Sequence, residues 1–253
     1  MQGEPPAKLR AICAAVAIAG VVAAGGPAQA WPGLREGLFG RRAEDQITAP
    51  PVARYTSEDG TSFILDRSQP RPLLKFENSP EVWALQAQPA PRGDIIYKND
   101  LGEPVLRATR LGGLIIFTDQ RPEGSAVALD GDCPPLRLTP LGPQALLEHL
   151  AQASARASHA ARRLIPFDAD ASPASSALVA DAATVASEAV VRMSRRKEGR
   201  AELGRLRQVR LVEGLRAGVL LTRGTLQITV APALGLAGRP SSERIVLTAF
   251  ALR

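Results

Sequence analysis

An α+β fold is what this sequence predicts, on three observations. Short apolar runs separated by turn-forming residues fill residues 55–129. An Ala-rich stretch with helical spacing follows over about 143–212, and strand texture returns near the C-terminus over 218–230. Together these predict an N-terminal antiparallel β-sheet, barrel- or sandwich-like, then an Ala-rich helical insert, then a C-terminal β-hairpin that rejoins the sheet. Two C-terminal strands alone would be marginal, which favours a single α+β domain over 55–253 rather than two domains.

The first thirty residues read as a leader. Lys8 and Arg10 precede an apolar run over 11–24, Gly25, Gly26 and Pro27 break it, and Ala28-Gln29-Ala30 has the small–x–small pattern of a signal peptidase site. The run is shorter than the roughly 20 residues that span a bilayer core. The expectation is therefore a mature protein, periplasmic or secreted, released after Ala30 and without a membrane span. Cys13 stands inside the run behind bulky Ile12, outside any lipoprotein pattern. Cys133 is then the one cysteine of the mature chain, which allows no internal disulfide. Residues 31–54, punctuated by Gly and Pro, form an extended lead-in.

Within the domain, Asp59-Gly60 predicts a hairpin turn before a strand over 61–66. Further strands are predicted over 72–76, 82–86, 94–98, 104–110, 113–118 and 125–129, with turn-formers in the gaps. Leu146, Leu147, Leu150, Ala153, Ala157, Ala160, Ala161 and Leu164 recur near helical spacing, and Pro166 ends that helix. Residues 168–176 read as a linker, with Ser175 or Ser176 capping a second helix over about 177–197. A third helical segment covers 201–212. Arg223-Gly224 then joins strands 218–222 and 225–230, and 244–252 reads as a last strand.

Composition narrows the function classes. The net charge is +6, and arginine carries it, because Lys75, Lys98 and Lys197 are the only lysines after the leader. Losing Lys8, Arg10 and Glu4 with the leader lowers the charge by one. Such a balance suits anionic wall polymer or another envelope protein as partner. Aromatic residues make up 4% of the chain, and none interleave with the arginines, so nucleic acid is not the expected partner. The same scarcity argues against an outer-membrane barrel with its aromatic girdles.

Motifs for chemistry are thin. His149 and His159 lie ten residues apart on the first helix and match no metal pattern. Asp168-Ala-Asp170-Ala-Ser172 imitates the start of a calcium loop, but Pro173 stands where the turn needs Gly and Val179 where it needs Glu. Ser194-Arg-Arg-Lys197 matches S-x-x-K without the companion patterns of penicillin-recognising enzymes, and reads as a basic helix end. Arg92-Gly-Asp94 reads as a turn entering a strand. No catalytic residue, metal or cofactor is assigned. The densest polar group is Asp94, Tyr97, Lys98 and Asp100 with Arg107 and Arg110. On two strands paired across Asn99-Asp100-Leu101-Gly102 it would form a face for a ligand or partner.

That same stretch resembles a known family. Tyr55, Asp59-Gly60, Phe63, Leu65-Asp66-Arg67-Ser68, then Ser79-Pro80-Glu81-Val82-Trp83, then Arg92 to Asp100 are similar to exported proteins of GC-rich bacteria grouped as a domain of unknown function. The similarity runs on through Leu111-Gly112-Gly113 into 235–244. It implies export and assigns no activity.

The function expected is a non-enzymatic envelope protein that binds a partner. An envelope hydrolase using Asp66, Asp94, Asp100 or Glu103 is the alternative, and two of those carboxylates converging in a deep pocket would favour it. A structural subunit of a larger envelope complex is a third reading, and would expose an apolar patch. N-terminal sequencing of the exported protein should begin at Trp31; a chain that still starts at Met1 would overturn the leader reading.

Overall fold

The computed structural model describes residues 50–250. The leader, residues 31–49 of the lead-in and residues 251–253 lie outside the described residues.

Nine strands make one antiparallel sheet: β1 (Val52–Ser57), β2 (Ser62–Asp66), β3 (Leu73–Phe76), β4 (Val82–Ala84), β5 (Gln86–Pro89), β6 (Ile95–Lys98), β7 (Pro104–Ala108), β8 (Leu114–Thr118) and β9 (Arg121–Asp132). Their order is β4-β3-β2-β1-β9-β8-β7-β6-β5. The two outermost strands, β4 and β5, are joined by Leu85 alone, so the sheet must curl until its edges meet. The result is a nearly closed barrel whose seam is bridged by chain continuity. Leu85 is fully buried there, and its amide donates to the Pro72 carbonyl at 2.7 Å.

Alternation places the core. Ala53 and Tyr55, Phe63 and Leu65, Leu106 and Ala108, and Leu114 and Ile116 point inward in period-two steps and are buried. The sparse aromatics concentrate in this barrel. Tyr55 stacks on Phe63 at 5.7 Å, Phe63 meets Phe76 edge-on at 6.0 Å, and Phe76 meets Trp83 at 5.8 Å. Each such pair adds about 0.5–1.5 kcal/mol beyond area burial, and together they tie β1 to β4. The strand β1 starts at Val52, so the end of the expected lead-in is barrel wall. The predicted strand over 82–86 is two strands hinged at Leu85.

The second half comprises α1 (Pro143–Ala161), β10 (Phe167–Asp170), α2 (Ser176–Arg195), α3 (Lys197–Leu203), β11 (Gln208–Glu213), β12 (Gly218–Thr222), β13 (Thr225–Val230) and α4 (Ser242–Phe250). The α+β class, the barrel-like sheet and the helical region are as the sequence predicts. The hairpin, however, does not rejoin the first sheet. Strands β12 and β13 belong to a second, four-stranded sheet ordered β10-β11-β13-β12, in which β10, β11 and β13 run parallel. The expected linker at 168–176 supplies β10. The end of the expected third helix supplies β11, where Val209 and Leu211 are buried and Gln208 and Arg210 exposed, a period-two pattern. Gly204 separates it from α3.

The helix α2 lies at the centre of this half, packed between α1 and the second sheet, with buried residues around most of its circumference. Its many alanines let both neighbours approach closely. The β11–β12 connection crosses the end of β13, and a Cβ on Gly214 would stand 2.5 Å from Thr229 Cγ2, so only glycine fits the crossing. The helices α1 and α2 run in the same direction. At their starts Ser176 Oγ donates to the Leu141 carbonyl at 2.9 Å, and nearer their ends Arg156 pairs with Glu188.

The predicted strand 244–252 is the helix α4. Ser241 Oγ accepts from the Arg244 amide at 3.0 Å, an N-cap bond, and Ile245 and Val246 face the core. Cap and core contacts outweigh the β-branched residues that suggested a strand.

Barrel and helical half meet around Glu81, which is fully buried in the turn before β4. One carboxylate oxygen accepts the Ser242 amide at 2.9 Å, the other the Ser242 hydroxyl. Arg239 Nη1 stands 3.9 Å from Glu81 and Arg192 Nη2 3.8 Å. Arg239 also pairs with Asp181 of α2 and donates to the Val82 carbonyl at 2.6 Å. Its side chain is 2% exposed, and its removal takes the paired cation from Asp181 and leaves Arg192 alone beside buried Glu81. Arg239→Ala should cost about 3–5 kcal/mol in urea unfolding; a loss no larger than that of an exposed arginine would deny the junction this role.

Candidate functional site

Of the six residues expected to share a polar face, the structure joins Asp94 with Arg107 and the Arg110 backbone and separates Tyr97 and Asp100 from them. Asp94 follows a turn in which Arg92 and Gly93 have φ of 66° and 83°. Its carboxylate accepts from Arg107 Nε at 2.8 Å and from the Arg110 amide at 3.0 Å. Those bonds hold its pKa below the ordinary value, and they fix the register of β6, β7 and the turn after β7. The Arg110 side chain covers Gly93. Tyr97 faces the barrel interior opposite Leu106 and is 3% exposed. Burial pushes its phenol up, with Arg67 opposing. Lys98 lies at a register shift in β6, opposite Pro104. Asp100 sits at the far end of the hairpin, bound to the start of α4 through the Ser241 amide at 3.0 Å and Arg244 Nε at 2.9 Å. Period two puts Tyr97 on the opposite side from its neighbours, and the strand's length keeps Asp94 and Asp100 apart.

The carboxylates of the hydrolase alternative are likewise engaged in structure. Asp66 is fully buried and accepts from the Ser68 amide, the Ser68 hydroxyl and the Leu136 amide, at 2.8, 2.6 and 2.8 Å. Glu103 accepts from Asn99 Nδ2 at 3.0 Å. A small cleft of about 30 Å³ does lie at the junction, lined by Trp83, Asn99, Asp100, Arg239 and Glu243 among others. Trp83 Nε1 and Asp100 Oδ1 are buried at it without a protein partner. Its volume suits a water or a single hydroxyl. Glu243 on its wall is pushed up chiefly by burial, with Arg192 at 3.0 Å opposing.

A larger feature lies where α1 and α2 end and α3 folds back beside them. There a concavity of about 830 Å³ opens between Arg156, Arg162 and Arg163 of the α1 end, Arg195 of α2 and Arg200 of α3. His159 and Ser194 stand on its wall, Ala160, Ala161, Val191 and Leu203 line it with apolar surface, and no carboxylate does. Arg156 is held by Glu188, and Arg163 Nη1 donates to the Gly204 carbonyl at 2.7 Å. Arg162, Arg195 and Arg200 have no side-chain acceptor among the described residues. Arg162 caps α1 in the left-handed region, φ 55°, which turns the chain back beside α2. The helix α3 folds back equally tightly: a Cβ on Gly199 would meet the Met193 carbonyl oxygen at 2.4 Å.

The sequence carried part of this signal, since Ser194-Arg-Arg-Lys197 reads as a basic helix end and Arg162-Arg163 closes the preceding helix. What it lacked was direction: only parallel helices bring both basic ends to one place.

The Asp94 bonds have a consequence for pH. A depressed carboxylate pKa contributes stability in full above the group's ordinary value and loses it as pH falls through the folded-state value. Glu243, being raised, contributes in the opposite sense. Asp94→Asn should therefore show a deficit in urea midpoint that is constant near neutral pH and shrinks in acid. Parallel curves for variant and wild type would show that Asp94 carries no such linkage.

Among the described residues no helix is long and apolar enough to cross a membrane. No curated protein and no solved structure matches the chain. The model of one family, Domain of unknown function (DUF4908), matches residues 33–249, which takes in the barrel, the second sheet and nearly all of the helices. The chain belongs to that family.

Proposed function

We propose that this protein is an exported, non-enzymatic binding protein of the cell envelope, and that the arginine-lined concavity is its working surface. The carrying observation is the imbalance of charge there. Five arginines from three elements line one concavity without a carboxylate. Two helix C-termini offset only about half a charge each, and Glu188 offsets one more. The remaining positive charge attracts an anionic partner, and guanidinium forks suit its oxyanions. The leader read in the sequence supports an envelope location. The polar groups of the barrel, by contrast, are engaged in holding turns and the α4 start.

The test is retention on immobilised heparin, used as a generic polyanion, for the mature chain and for Arg162→Glu/Arg195→Glu. The wild type should elute at clearly higher salt, because each lost contact lowers the salt dependence. Equal elution of the two would place the affinity elsewhere, and no retention of either would remove the anion-binding reading.

A further inference from the structure

We infer that the concavity takes a phosphate ester bearing a small apolar group, an inference that rests on the anion-binding reading above. The basic side chains on its wall are five arginines and His159. The three without an acceptor come from different elements: Arg162 at the α1 end, Arg195 in the last turn of α2 and Arg200 in α3. A carboxylate presents its two oxygens in one plane, so its lone pairs are met by donors that lie near that plane. A phosphate ester presents several oxygens around a tetrahedral centre, so guanidiniums arriving from separate directions can each find one. The arrangement therefore fits phosphate better than carboxylate.

The rest of the wall sets the other half of the ligand. Bare phosphate would leave most of the 830 Å³ unused, a volume in the range of small-molecule sites. The apolar side chains on its wall, Ala160, Ala161, Val191 and Leu203, have no hydrogen bond to offer and gain from apolar contact. Ser194 Oγ donates to the Val191 carbonyl at 2.7 Å, which leaves its lone pairs for a donor on the ligand. A soluble phosphate ester and the headgroup of an anionic phospholipid share this chemistry.

Calorimetry on the mature protein with hexyl phosphate, inorganic phosphate and heptanoate separates these ideas, with co-sedimentation on phosphatidylglycerol-containing and pure phosphatidylcholine vesicles as a second arm. Hexyl phosphate should bind at least about tenfold tighter than inorganic phosphate, through burial of its alkyl chain, and at least about tenfold tighter than heptanoate, through the extra charge-assisted contacts. Arg195→Lys, which keeps the charge and loses the fork, should forfeit about that factor while its urea midpoint stays unchanged. Sedimentation with phosphatidylglycerol vesicles alone would assign the ester to a lipid headgroup, and its absence to a soluble ester. Hexyl phosphate binding no tighter than inorganic phosphate or heptanoate would overturn the inference. If heparin retention persisted in that case, the anion-binding surface would stand; if it were lost too, both would fall.

Discussion

The structure turns on one buried carboxylate. Glu81 has left water entirely, so its charge is tolerable only because partners from the other half of the molecule meet it. The start of α4 gives it an amide and a hydroxyl from Ser242, and Arg239 and Arg192 stand within 4 Å with their counter-charges. Asp100 does the same for the Ser241 amide and Arg244. A helix N-terminus favours negative charge, and here both carboxylates come from barrel turns. The barrel and the helical half are therefore joined by polar bonds that neither can make alone.

That arrangement explains why the polar residues richest in apparent chemistry are structural. A nearly closed barrel leaves few backbone groups free at its strands, but its turns must still be fixed. Asp66, Asp94, Asn99 and Asp100 do that work, each accepting or donating bonds to a turn or to the neighbouring half. Asp66 and Asp94 accept at both oxygens, and a carboxylate so engaged is a poor general base or nucleophile, while Asp100 keeps only Oδ1 without a protein partner. The arginines at the helix ends are in the opposite position. They lie where two helix C-termini and a tight return meet, with fewer acceptors than donors.

Much of the barrel was legible in the sequence, because period-two alternation and turn residues are local signals. Asp59-Gly60, the strand over 61–66 and the turn at Asn99 all read directly. The first helix read equally well from the spacing of Leu150, Ala153 and Ala157, and the second from a cap at Ser175 or Ser176. The misreadings share a cause. Residues 208–213 and 167–170 are short strands whose partners lie across the chain, so their local pattern was outweighed by neighbouring helical texture. Residues 244–252 read as a strand and include β-branched Ile245, Val246 and Thr248, whereas a cap at Ser241 and burial of Ile245 and Val246 decide a helix over 242–250.

The sequence by itself determined the α+β class, the strand spacing of the barrel, the two long helices and a charge carried by arginine. Tertiary structure alone decided that Leu85 closes the barrel, that the hairpin builds a second sheet, and that Tyr97 turns inward while Asp94 and Asp100 separate. It also decided that the basic ends of α1 and α2 share one concavity. The reason is physical: periodicity and capping act within a few residues, while sheet closure, helix direction and the partner of a buried charge depend on segments far apart in the chain.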